Sequence, residues 1–197
     1  MPTPLPAPAL LRLISEGRLF KQSFAWLLRL LCVAALVEGV WVSIELWRGG
    51  GTSTQAVFGQ LIFQAALALA AYLVAHLAWL RAQDVAAMPQ TGGEVIIPLS
   101  RLLLRLAGEL YASLMVVLGV GGAVMVWISA GDARVDQALL HLLLPGFGGD
   151  PFPAGLNLLL TGLGCGALSL LAGYLASELL GLLCAIESNT RSATKLD

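Results

Sequence analysis

Four stretches of this sequence, at about 24–47, 56–80, 107–129 and 156–186, stay apolar for more than 20 residues each. The hydrocarbon layer of a bilayer is about 30 Å thick and takes about 20 helical residues to cross. Backbone inside it must satisfy its own hydrogen bonds, which an α-helix does. The runs therefore predict an all-α integral membrane protein with four transmembrane helices. Composition agrees: 58% of the 197 residues are hydrophobic and 12% are charged, against about a quarter charged in a soluble domain.

The segments between the runs divide the chain. Residues 1–23 read as a cytoplasmic extended and amphipathic segment: Pro2, Pro4, Pro6 and Pro8 favour an extended start, and ALLRLISEGRLFK has the pattern of a short surface helix. No short apolar core followed by a small-residue cleavage site precedes the first run, which is expected to stay in place. Residues 24–80 form a first transmembrane hairpin and 81–106 a cytoplasmic linker with an interfacial helix. In IIPLSRLLLRLAGEL, Arg101, Arg105 and Glu109 recur every four residues as a polar stripe on an inner-surface helix running into the third span. Residues 107–187 form a second hairpin with an outer loop at 130–155, and 188–197 a cytoplasmic tail.

Basic residues orient the spans. Arg12, Arg18, Lys21, Arg81, Arg101, Arg105, Arg191 and Lys195 fall on one side, and Arg48 and Arg134 on the other. The positive-inside rule then puts both termini in the cytoplasm. Trp41, Trp47 and Trp127 sit near the outer interface and Trp79 near the inner one, where amphipathic rings settle.

Several chemistries are excluded. A formal charge of −1 without a basic patch argues against nucleic acid. Cys32, Cys165 and Cys184 lie in apolar runs without CxxC or His-rich spacing, so neither a disulfide framework nor a metal site is expected. His76 and His141 fall on opposite sides of the bilayer and could not ligate one haem together. GFGG and GVGG lack the Lys and Ser/Thr of a phosphate loop. No catalytic set emerges, and the expectation is a protein that is not an enzyme and holds no cofactor.

An internal repeat organises the spans. A shift of 102 positions lays AAYLVAHLAWL on AGYLASELLGL, matching Tyr72 with Tyr174 and His76 with Glu178. Two duplicated hairpins of like orientation would be related by an axis along the membrane normal. The last span also carries Gly162, Gly166, Ser169, Gly173, Ser177 and Gly181 at steps of four, three, four, four and four. That spacing lines one helix face. Small residues there permit the close backbone approach by which membrane helices associate, so the stripe reads as a packing seam. The matching face of the second span is Gln60, Gln64, Ala68, Ala71 and Ala75.

Polar residues inside the spans are the functional candidates. Arg29, His76 and Glu178 lie one to two turns from the inner ends, and their depths overlap. They suggest a polar cluster with the hydroxyls of Tyr72 and Tyr174, in which Glu178 borders the seam and meets a cation. The alternatives are a snorkelling Arg29, a neutral hydrogen-bonded His76 and a protonated Glu178. Glu38, with Glu45 seven positions on and on the same face, lies near the midplane, where a carboxylate is costliest.

At the C-terminus, SELLGLLCAIESNTR resembles the end of a small bacterial membrane domain of unknown function, on Glu178, Ile186, Glu187, Asn189, Thr190 and Arg191. The resemblance covers the last two spans and implies a bacterial inner membrane, with IESNTR marking where the helix leaves the bilayer. The expected function is a non-catalytic polytopic accessory or scaffold subunit, assembling in the lipid bilayer with itself or with other membrane proteins. The alternative is a small oligomeric transporter or channel using Glu38, Glu178 and His76. A further one is a quinone or haem accessory subunit, with His76 paired to a neighbour's histidine.

Overall fold

The computed structural model describes residues 18–48, 53–87, 96–129 and 150–193. These form helices α1 (Arg18–Arg48), α2 (Thr54–Ala87), α3 (Ile96–Ser129) and α4 (Pro151–Ala193). All four are long and apolar enough to cross a membrane. The expected N-terminal surface helix, apart from its last residues, lies outside the described residues, as do most of the outer loop, with His141, and the end of the tail.

Local chemistry sets two of the starts. Ser53 caps α2: its Oγ accepts from the Ala56 amide at 3.1 Å and its carbonyl from Val57 at 3.0 Å. The Asp150 carbonyl takes the first bond of α4, from Ala154, and Pro151 follows at a position where a missing N–H costs nothing. The segment read as an inner-surface helix runs into the third span without a break. It is the first part of one uninterrupted α3, and its Leu99 and Leu106 join Ala25 and Leu28 of α1 and Ala82 and Val85 of α2 in an apolar cluster.

The helices pack in chain order: α1 on α2, α2 on α3, α3 on α4. No other pair makes more than a marginal contact among the described residues. The arrangement is a row rather than a closed bundle, with α3 the most covered member and α1 the least. In the most apolar window of α3 56% of residues are buried, against 6% in α1 and 17% in α4. A second apolar cluster, with Phe63, Leu67, Met115, Met125 and Leu158, joins the middle of the row at the other end from the first.

Candidate functional site

The six residues of the α4 stripe lie against α3. Gly162 faces Gly119, where a Cβ would come within 2.8 Å of the partner Cα and 2.6 Å of the Met115 carbonyl. Three turns on, a Cβ on Gly173 would meet the Leu104 carbonyl at 2.7 Å and the Gly108 Cα at 3.1 Å. A Cβ on Gly166 would press on Val116. Ser169 Oγ donates to the carbonyls of Gly166 at 2.8 Å and Gly108 at 3.4 Å. Backbones this close leave no room for any side chain larger than hydrogen at the glycine pairs.

At the end of the row where α2 stops and α3 starts, the small-residue contact gives way to charge. Arg81 of α2 makes a two-pronged pair with Glu109 of α3, Nη2 to Oε1 at 2.6 Å and Nε to Oε2 at 3.3 Å, and also reaches Asp84 at 3.1 Å. Tyr174 of α4 donates to the same Glu109 oxygen at 2.9 Å. One carboxylate, itself largely covered, thus ties three helices together. Arg105 donates from Nε to Ser177 Oγ at 2.9 Å and lies 5.4 Å over the Tyr174 ring; Arg101 donates from Nε to the Ser177 carbonyl at 3.1 Å. Gly181 makes room for Arg101, whose guanidinium carbon would come within 2.9 Å of a Cβ there.

Among the described residues no hydrogen bond or ion pair joins Arg29, His76 and Glu178 of the anticipated cluster. Arg29 lies over Trp26 and Trp79, at 5.4 and 6.0 Å from the ring centroids. His76 is exposed and stacks on Tyr72 at 5.6 Å. Glu178 is exposed on α4 and points away from the seam. The physical reason is the row: α3 stands between α4 and the first hairpin, so overlapping depth does not bring these side chains together. Glu38 is exposed on α1, and Glu45, on the same helix, pairs with Arg48 at 2.7 Å.

Sequence reasoning marked Arg101, Arg105 and Glu109 as a stripe on one face but not what that face meets. Nor did it mark Gly108 and Gly119, the α3 halves of the glycine contacts, although they stand eleven positions apart, as do Gly162 and Gly173. Between α1 and α2, Gln64 donates to Ser43 Oγ at 2.7 Å, and Ser43 Oγ donates to the Gly39 carbonyl at 2.6 Å. Gln60 is 1% exposed, and its amide nitrogen has no hydrogen-bond partner among the described residues. Among the described residues no three His, Cys, Asp or Glu side chains are gathered to hold a metal ion. Searches of protein-family models, curated proteins and solved structures find no match to this chain.

Proposed function

We propose that the chain is a non-catalytic four-span protein of the bacterial inner membrane, with both termini cytoplasmic. It acts as an accessory or scaffold subunit by assembling with itself or with other membrane proteins. The observation that carries this reading is the exposure of Glu38 on α1, the least covered helix of the row. A carboxylate held against lipid near the bilayer centre costs about 2.5–3.5 kcal/mol on insertion scales, and a neighbouring helix that offers a hydrogen bond or a cation removes much of that cost. Glu178, exposed on the open side of α4, makes the same demand at the other edge of the row. Both ends of an open row are thus supplied with groups that a further helix would satisfy.

We infer that the two hairpins are duplicated. Ala71 meets Gly39 of the preceding helix, where a Cβ would lie 2.8 Å from that of Ala71, and its repeat mate Gly173 meets Gly108 of the helix before it.

Extraction in mild detergent followed by native mass spectrometry tests assembly. Species larger than one chain are expected; a monomer alone, at concentrations where the membrane itself holds the protein, would count against the subunit role.

A further inference from the structure

Arg81, Arg101 and Arg105, with Pro98 and Leu102, line a cavity of about 260 Å³ beside the Glu109 pairing. Arg81 is matched by Glu109 and Asp84. Arg101 and Arg105 meet no carboxylate among the described residues: each gives its Nε to Ser177, one to the carbonyl and one to the hydroxyl. Their terminal nitrogens make no hydrogen bond among those residues. Anchoring Nε fixes the guanidinium plane, and a fixed guanidinium presents paired N–H donors in the fork that suits carboxylate and phosphate oxygens. Two such groups one helical turn apart, next to a third, repel each other unless an anion sits between them. The cavity is several times the roughly 30 Å³ share of a water molecule, so a phosphate group fits with waters around it.

We propose that this cavity binds a phosphate group, held by Arg101 and Arg105 with Arg81 on the third side. Ser177 is a positioning residue, acting through the two guanidiniums. A lipid headgroup and soluble phosphate share this chemistry. The cavity lies where the apolar parts of α2 and α3 end, the depth at which headgroup phosphates stand, and basic pockets between membrane helices on the cytoplasmic side hold anionic headgroups. The headgroup as source rests on the membrane reading above, whereas the arginine site itself does not.

The test uses the full chain, purified in nonionic detergent, stripped of lipid and titrated separately with short-chain phosphatidylglycerol, phosphatidylcholine and inorganic phosphate. Binding is read by native mass spectrometry and by the shift in unfolding temperature. Tighter binding of phosphatidylglycerol than phosphatidylcholine is expected, with the preference falling about fivefold for each of Arg101→Gln and Arg105→Gln. Arg48→Gln, at the other end of the molecule, should leave it unchanged. Protection by inorganic phosphate that depends on Arg101 and Arg105, without preference between the lipids, would identify soluble phosphate as the ligand and uphold the site. Equal binding of both lipids with no effect of phosphate would overturn it in the unaltered chain, whatever the variants do to folding. An equal loss of preference from Arg48→Gln would overturn it as well, since attraction would then be general. Should the protein stay in solution without detergent, the membrane reading falls, and the phosphate titration still reads the arginine site.

Discussion

Ser177 and Glu178 are adjacent in α4, yet the serine is fully buried against two arginines and the glutamate is exposed. One helical step rotates a side chain by about 100°, so a residue that borders a packing face in sequence need not belong to it. The glutamate that does bind helices together is Glu109, which receives Arg81 and Tyr174. Arg81 and Glu109 are 27% and 12% exposed at their side chains, so truncating one leaves a charge that water reaches poorly. Glu109→Ala should therefore destabilise the protein by about 3 kcal/mol. Tyr174→Phe removes one hydrogen bond and should cost about 1 kcal/mol. Thermal unfolding in detergent compares them, and equal losses would mean that the Arg81–Glu109 pair holds nothing. In sequence the four-residue spacing of Arg101, Arg105 and Glu109 was plain; their partners on α2 and α4 were not, because only tertiary packing decides which helix faces the stripe.

At the scale of the element, α4 meets α3 through two facing glycine pairs, Gly119 with Gly162 and Gly108 with Gly173. Eleven residues make just over three turns, so both pairs fall on one face and bring the two backbones close over that length. Membrane helices associate through such contact and through interhelical hydrogen bonds. Leu introduced at Gly173 runs into the α3 backbone at Leu104 and Gly108, and the helices must part, carrying Ser177 away from Arg101 and Arg105. Gly173→Leu should then lower the unfolding temperature much more than Leu175→Ala, since Leu175 is 55% exposed. Equal effects from the two would contradict a backbone contact at this face. The four helices could be read from the length of the apolar runs, and the face of α4 from the spacing of its small residues. A helix from Ile96 running into the third span could be read as well; the burial of Leu99 and Leu106 against α1 and α2 could not, since an Arg and Leu pattern serves equally for a surface helix.

At the scale of the whole molecule, the described residues form a row of helices with one well-covered member and two edge members, an order that the positions of residues within their apolar runs could not supply. An overlap in depth of Arg29, His76 and Glu178 is an expectation of the sequence; that α3 stands between α4 and the first hairpin is not legible there. The proposed orientation follows from the uneven basic residues, and proteolytic tags on both ends should be cleaved in inside-out membrane vesicles and protected in right-side-out ones. Cleavage of the two tags from opposite sides would refute it. If another helix covers Glu38, Glu38→Ala should weaken the assembly by about 0.6–2 kcal/mol, roughly 3- to 30-fold in dissociation constant, as for an interhelical hydrogen bond. Analytical ultracentrifugation in detergent reads that change, and unaltered association would place Glu38 outside the contact. The most direct test of an open row completed by other helices is native mass spectrometry of the protein released straight from its own membrane. The expected result is a complex containing more than one 20.6 kDa chain, or one chain with further membrane subunits, that shifts toward single chains with Glu38→Ala. A single chain from the unaltered protein, with Glu38 left to the lipid, would contradict it.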